Sequence, residues 1–168
     1  MVGYGSLVAA TLITLGQLVC FAPLLPEAVA GHFGEDGLAN GWMKKTSLLT
    51  IHIAVQFGTA GVLLLAGEFA RRLPDSLFNM PNKEYWLHPH RRDETLSDNG
   101  KALILIAGAT SLFFTAVMQL VYVANLSDPP KLDERFFLIA FGAYLGIVLG
   151  VVIFMVRKYS RIPSDVVA

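Results

Sequence analysis

The chain has 168 residues, of which 54% are hydrophobic and 15% are charged, and its mean hydropathy is +0.56. This composition argues against an ordinary soluble domain, and a formal net charge of zero gives no reason to expect nucleic acid or an acidic partner. Four apolar runs of about twenty residues recur, each long enough to cross a hydrocarbon core of roughly 30 Å as a helix. We therefore expect an all-α integral membrane protein with four transmembrane helices, folded as one domain over residues 1–168.

The spans are predicted at residues 4–25, 47–69, 102–124 and 136–156. The first run has one feature of a secretory signal, because the small-x-small site Ala28-Val29-Ala30 follows it. No Lys or Arg precedes the run, however, and it is longer than the apolar core of a usual signal. We interpret it as a retained first helix that ends near Pro23 and Pro26, because proline cannot continue the helical hydrogen bonds.

The loop between the first two spans, Leu25 to Lys45, has the composition most typical of a functional site. It is polar and rich in glycine, and its Asp36-Gly37 and Asn40-Gly41 pairs favour tight turns. The segments around these turns predict either a small hairpin or a short interfacial element. Trp42 suits a membrane interface, because its ring is apolar and its N–H is polar. We expect His32 and Trp42 to be the binding residues of this loop.

The longest polar stretch, residues 71–101, contains too many aromatic residues for a plain solvated loop. We expect a cytoplasmic interfacial segment that lies flat, with its rings in the interface and its basic side chains directed to lipid head groups. The residues concerned are Tyr85, Trp86, Lys83, Arg91 and Arg92. Asn82 is predicted to cap a short helix, and Pro89 to occupy the first turn of another.

The positive charges are distributed unevenly between the two sides of the membrane. With four spans both termini share one side, and that side, including residues 71–101, holds nine of the 13 Lys and Arg residues. The other side holds Lys44, Lys45, Lys131 and Arg135. Because positive residues favour the cytoplasm, we predict a bacterial inner-membrane protein with cytoplasmic termini and an outward-facing loop 25–45. The inverted orientation is the alternative.

Each span carries one hydrogen-bonding side chain at a similar depth below the loop 25–45. Counted from the outer ends of the spans at ~1.5 Å per residue, the depth is roughly 9–14 Å. The residues are Gln17, His52, Gln119 and Tyr144, with Gln56 one turn deeper than His52. Polar groups in hydrocarbon tend to face the interior of a bundle. They predict either a polar cavity that binds a small molecule or a peptide end, or hydrogen bonds that only join the helices.

Two further features of the spans have alternative explanations. Gly142, Gly146 and Gly150 recur every four residues in the fourth span, which favours close packing of another helix. We expect this packing within the bundle, with a dimer interface as the alternative. His52 is the only histidine within a span and offers one nitrogen ligand for a haem or a metal. No second strong ligand occurs at its depth, so we expect no cofactor and no metal site.

The sequence contains no recognisable catalytic motif. A Gly-x-Ser-x-Gly elbow, a phosphate-binding loop, a His-Glu-x-x-His pair and a cysteine pair do not occur in it. We therefore expect a protein that is not an enzyme and has no catalytic residues.

Two stretches of the chain match a pattern known from a membrane protein family. The first consists of Leu25-Pro26, His32-Phe33-Gly34, Gly37, Trp42 and Lys44 or Lys45, and the second of Pro81 to Trp86 and Arg91-Arg92. Together they resemble the domain of unknown function at the N-terminus of SdpI-type immunity proteins, over about residues 5–95. The resemblance implies a small bacterial multi-pass protein. In one branch of that family such proteins are linked to protection against a secreted toxin and to its sensing.

These features predict a small non-enzymatic accessory or sensor protein, immunity-like as the resemblance implies, that engages a ligand or partner through the loop 25–45. A structural subunit of a larger membrane complex is the first alternative, and a metal- or haem-binding membrane protein is the second. We expect contact with the lipid bilayer and with a protein partner in the membrane or a second copy, and none with nucleic acid. The predicted ligand-binding residues are His32, Trp42, His52, Gln56, Gln17, Gln119 and Tyr144.

Overall fold

The computed structural model describes residues 2–163 and is mostly helical. In chain order its elements are α1 (Val2–Phe21), β1 (Ala28–Phe33), β2 (Ala39–Lys44), α2 (Lys45–Ala70), a 3-10 turn (Asp75–Leu77), α3 (Lys83–Trp86), α4 (Pro89–Asn125) and α5 (Glu134–Tyr159). Within residues 2–163, the four helices α1, α2, α4 and α5 are long and apolar enough to span a membrane. The predicted multi-pass helical protein is confirmed at this level. The predicted domain 1–168 also includes Met1 and residues 164–168, which lie outside the described part.

Helix α4 is the centre of the arrangement. It packs against α1, α2 and α5, whereas no other pair of these four helices packs extensively within residues 2–163. The approach of α1 is close because small residues meet there: the stretch Ala107 to Ser111 of α4 is buried, as are Gly3 and Ala10 of α1. In α5 only Tyr159, at the C-terminal end, is buried. Most of α5 therefore faces outward.

Two helix ends differ from the sequence prediction. Helix α1 ends at Phe21 rather than at 25, because the chain turns there: the N–H groups of Leu24 and Leu25 both donate to the carbonyl oxygen of Phe21, each at 3.0 Å. Pro89 occupies the first turn of a helix, as predicted, but this helix, α4, continues without a break through the span predicted at 102–124. Its 37 residues span roughly 55 Å, which is more than a hydrocarbon core of about 30 Å. The N-terminal part of α4 therefore lies beyond the membrane core.

The segment between α2 and α4 folds back against the ends of the helices. Trp86 Nε1 and Asn82 Nδ2 each donate to the carbonyl oxygen of Tyr159, both at 2.9 Å. The Tyr159 hydroxyl in turn donates to the carbonyl oxygen of Thr95 at 3.3 Å. These hydrogen bonds satisfy a carbonyl at the C-terminal end of α5, where intrahelical partners are missing. The segment thereby joins α3, α4 and α5 at one end of the molecule.

This arrangement corrects two details of the predicted interfacial segment. Arg92 is bonded within the protein, because its guanidinium lies 2.9 Å from the Asp75 carboxylate and donates to the carbonyl oxygen of Leu73 at 2.8 Å. Asn82 makes no side-chain cap to α3, since its backbone is left-handed, with φ 50°, and its side chain is bonded to α5. The Arg91 guanidinium lies 4.0 Å from the centre of the Tyr85 ring.

At the other end of the molecule the residues between α1 and α2 form an antiparallel hairpin, β1–β2. Of the two predicted possibilities, the hairpin is therefore the one present. Gly37 at its turn has φ 74°, a conformation that glycine adopts without strain. The tip contacts the connection between α4 and α5, because Ala39 N–H donates to the Pro130 carbonyl at 3.1 Å and Leu132 N–H to the Gly37 carbonyl at 2.9 Å.

Candidate functional site

One asparagine at the end of α4 holds the hairpin against the helices. Asn125 Oδ1 accepts the N–H of Ala30 at 2.6 Å, and Asn125 Nδ2 donates to the carbonyl oxygen of Ala30 at 2.9 Å. The same amide nitrogen also donates to the Val121 carbonyl at 2.9 Å. Asn125 and Ala30 are both buried. The side chain thus substitutes for a missing strand partner, and it fixes the position of β1 relative to α4.

An apolar cluster lies where the hairpin meets the helices. Val29 of β1 is fully buried and packs with Leu25, with Leu48 of α2 and with Tyr122 of α4. The Tyr122 ring is also stacked on Phe21 of α1, with 5.3 Å between the ring centroids. The cluster therefore joins the hairpin to α1, α2 and α4, and the hairpin cannot move without disturbing their packing.

Two glutamines join α1 to α4 near this cluster. Gln17 Nε2 donates to Gln119 Oε1 at 2.9 Å and to the carbonyl oxygen of Thr115 at 3.0 Å. The hydroxyl groups of Thr14 and Thr115 lie 3.2 Å apart in the same interface. The predicted proximity of Gln17 and Gln119 is therefore present in the structure. Polar contacts of this kind stabilise helix association in a membrane.

His52 of α2 contacts α4 next to the apolar cluster. It is 1% exposed, and its Nδ1 atom is 2.7 Å from the hydroxyl of Tyr122. If Tyr122 donates this hydrogen bond, His52 Nε2 carries the proton and is a donor; if His52 Nδ1 donates it, Nε2 is an acceptor. Tyr122 thus orients the imidazole, and the chemistry of its free nitrogen depends on the tautomer.

Three buried side-chain atoms in this region have no hydrogen-bond partner within residues 2–163: Gln17 Oε1, His52 Nε2 and Gln56 Oε1. Their residues are at most 5% exposed. A buried polar atom without a partner costs about 1–3 kcal/mol, so such atoms are rare unless something binds them. Two of the three are carbonyl oxygens, which accept hydrogen bonds only. Each of these two oxygens is therefore suited to an N–H or O–H donor.

Tyr144 does not belong to this group, although its predicted depth matches. Its hydroxyl lies 3.4 Å from Thr110 Oγ1, and its ring is stacked on Phe113 with 4.8 Å between the centroids. Thr110 and Thr115 are five residues apart, which at 3.6 residues per turn places them about 140° apart around α4. The predicted layer of four side chains is therefore wrong at Tyr144, because depth alone does not determine which side of a helix a residue contacts.

His32 and Trp42 are placed on the outer surface of the hairpin. Trp42 is 58% exposed, and its neighbour in the strand, Met43, packs against the buried cluster, so Trp42 points the opposite way. His32 is exposed and its ring is hydrogen-bonded to Asn40 of the opposite strand. The idea that these two residues act in one site with His52 is therefore wrong. We call the exposed residues of the hairpin, which include His32 and Trp42, the hairpin surface; it lies above the buried polar residues.

The glycine stripe of α5 does not pack within the described residues. Gly142, Gly146 and Gly150 are exposed, and a Cβ atom built on any of them would meet no atom within 4 Å. The expectation of internal packing is therefore wrong for residues 2–163. Close packing occurs instead between α1 and α4. The stretch of small residues Ala107 to Ser111 in the third span makes this packing possible. An interface between α5 and a further membrane component stays a prediction.

Sequence reasoning missed four residues that build this region: Thr14, Thr115, Tyr122 and Asn125. A usable signal was present for the last two, since Tyr122 and Asn125 are three residues apart and so share a helix face at the end of an apolar run. For the threonines no such signal exists, because a hydroxyl can bond to its own helix. Thr115 Oγ1 does so, donating to the Ser111 carbonyl at 2.8 Å.

Within residues 2–163 no group of three His, Cys, Asp or Glu side chains is placed to hold a metal ion. No family model, curated protein or solved structure matches the chain. The resemblance to the N-terminal domain of SdpI-type immunity proteins therefore stays a prediction.

Proposed function

We infer that the protein is a non-enzymatic sensor or accessory protein of a bacterial cytoplasmic membrane, which engages a ligand or partner through the hairpin surface. The observation that carries this proposal is the clamp between Asn125 and Ala30. It fixes a hairpin with an exposed histidine and tryptophan against three membrane helices. An exposed tryptophan on a rigid support is typical of an interaction site, because little entropy is lost when it is covered.

The hairpin surface is connected to the buried polar residues through α4. Asn125, which holds the hairpin, lies one helical turn from Tyr122, which holds His52 of α2. A partner that shifts the hairpin therefore also shifts the Tyr122–His52 hydrogen bond and the contact between α2 and α4. In this proposal the contact between α2 and α4 has two states, and the partner must bind the protein more tightly in one state than in the other.

The buried polar residues form the second part of the proposed binding site. Gln17, Gln56 and His52 offer two carbonyl oxygens and one imidazole nitrogen that have no partner within residues 2–163. A small polar molecule or a peptide end with N–H or O–H groups would satisfy them. Its binding would hold α1 and α2 against α4, and thereby favour one position of the hairpin.

The distribution of charge supports an orientation with the hairpin outside the cell. Nine of the 13 Lys and Arg residues lie on the side of the membrane that holds residues 71–101 and the C-terminal end of α5. Positive residues are retained in the cytoplasm, so both termini are proposed to be cytoplasmic. This orientation and the resemblance to SdpI-type proteins together support sensing of, or protection against, a secreted molecule.

Rescue of a deletion strain tests this function. The double variant His32→Ala/Trp42→Ala should fold normally, because exposed substitutions usually change stability by less than about 0.5 kcal/mol. It should nevertheless lose most of its ability to restore the phenotype of the deletion strain. The control is Leu77→Ala, which removes a side chain that is 67% exposed at the other end of the molecule. Full rescue by the double variant at normal membrane levels would contradict the proposed function.

A further inference from the structure

A groove between α4 and α5 lies outside the site described above. It has a volume of about 590 Å³ and runs along the exposed glycine stripe, past Gly146 and Gly150. Its walls are apolar, with Leu105, Ile147 and Phe154 among them. We propose that this groove binds one anionic phospholipid, with the phosphate at Lys101 and Lys158 and an acyl chain along the glycines.

The charged end of the groove is organised around one carboxylate. Asp98 accepts hydrogen bonds from Lys101, at 2.8 Å, and from Lys158, so it brings two ammonium groups from different helices together. Each ammonium has three N–H donors, of which one points to Asp98. Within residues 2–163 the remaining donors have no acceptor, so they can bind a phosphate. Two further cations, Arg157 and Arg161, border an adjoining cavity that also includes Lys158, so the local charge stays positive despite Asp98.

The length of the groove fits one leaflet of a bilayer. Lys158 and Gly146 are twelve residues apart on α5, which corresponds to ~18 Å along a helix. Half of a hydrocarbon core is roughly 15 Å. A lipid with its phosphate at the lysines would therefore extend its acyl chain along Gly150 and Gly146. The glycines lack side chains, so they leave the room that a chain needs.

Charge favours a lipid over a second copy of this protein as the occupant. Two copies in one membrane share the same orientation, so contact through the groove would bring their Arg157, Lys158 and Arg161 residues to the same level. Like charges at close range are unfavourable. An anionic head group at this level instead gains about 1 kcal/mol for each nearby Lys or Arg.

Native mass spectrometry of the full chain from mild detergent tests the proposal, with phosphatidylglycerol and phosphatidylcholine as probes. The wild-type protein should bind one phosphatidylglycerol in preference to phosphatidylcholine. In Lys101→Gln/Lys158→Gln the half-saturating concentration of phosphatidylglycerol should rise roughly 30-fold. Gly146→Leu/Gly150→Leu should lose binding of both lipids, because leucine side chains fill the groove. The matched control, Lys44→Gln/Lys131→Gln, removes two lysines at the hairpin end and should bind as wild type.

Four results would overturn the proposal: equal binding of the two lipids, unchanged binding by the lysine variant, displacement of the lipid by equimolar inorganic phosphate, or a dimer that the glycine variant abolishes. Circular dichroism of each variant separates loss of the site from loss of the fold. Because the lysine and glycine variants alter the site in different ways, misfolding of one leaves the other as a test.

Discussion

Replacing Gly108 with leucine should lower the unfolding temperature of the purified protein by roughly 5–10 °C, since overpacking costs about 1–3 kcal/mol or more. Gly108 lies in the buried small-residue stretch of α4 that faces α1. A Cβ atom at this position would be 2.9 Å from the carbonyl oxygen of Gly3 and closer still to Ser6 Oγ. Because a backbone oxygen cannot rotate away, α1 and α4 would have to separate.

The matched control is Gly142→Leu, which adds the same side chain to the exposed stripe of α5. A Cβ atom there meets nothing within 4 Å, so the unfolding temperature should change little. The unfolding temperatures of both variants are measured in detergent, with circular dichroism and the loss of the monodisperse peak as the two signals. Equal effects of the two substitutions would show that α1 and α4 do not pack as described.

Replacing Asn125 with alanine should release the hairpin from α4. The N–H and carbonyl of Ala30 would both lose their partners while remaining buried, and each unpaired group costs about 1–3 kcal/mol. Hydrogen–deuterium exchange of residues 28–44 should therefore accelerate by about 30-fold or more. Asn125→Asp, which loses the donor and places a buried carboxylate against the carbonyl oxygens of Ala30 and Val121, should show an acceleration at least as large.

Gln119→Leu is the control for this experiment. It removes a polar side chain from the same helix, six residues earlier, but that side chain bonds to Gln17 of α1 and not to the hairpin. Exchange in residues 28–44 should stay near the wild-type rate. If Asn125→Ala also leaves exchange in the hairpin unchanged, the hairpin is held by its apolar contacts alone and the proposed connection through α4 fails.

Composition and turn chemistry were sufficient to predict the membrane helices and the place of the hairpin. Runs of apolar residues specify helices because backbone groups in hydrocarbon must bond internally, and the Asp36-Gly37 pair specifies the turn because Gly37 tolerates positive φ. The Asn40-Gly41 pair was predicted to form a turn as well, but it lies within β2. Helix α4 was predicted as two separate parts, a helix that begins at Pro89 and a span at 102–124, since hydropathy marks only the part of a helix inside the membrane. Its polar first turns, from Pro89, belong to the same helix but carry no apolar signal.

The pairing and rotation of the helices could not be predicted, and the errors in the candidate site follow from this. Tyr144 has the same depth as Gln17 yet faces the opposite side of α4, because rotation about a helix axis depends on packing rather than on sequence position. The conspicuous glycine stripe of α5 stays exposed, while the less regular stretch Ala107 to Ser111 is buried. Trp42 was expected to bind the ligand together with His52, but strand alternation turns Met43 rather than Trp42 toward the buried cluster.

The account requires the hairpin to lie outside the cell, and cysteine labelling in intact cells measures this most directly. In a Cys20→Ser background, Glu35→Cys places a thiol in the exposed hairpin turn and Ser76→Cys places one in the exposed 3-10 turn at the other end. A membrane-impermeant maleimide should label the Glu35→Cys protein in intact cells, and the Ser76→Cys protein only after the cells are permeabilised. The reverse pattern would place the hairpin in the cytoplasm and contradict engagement of an external ligand or partner.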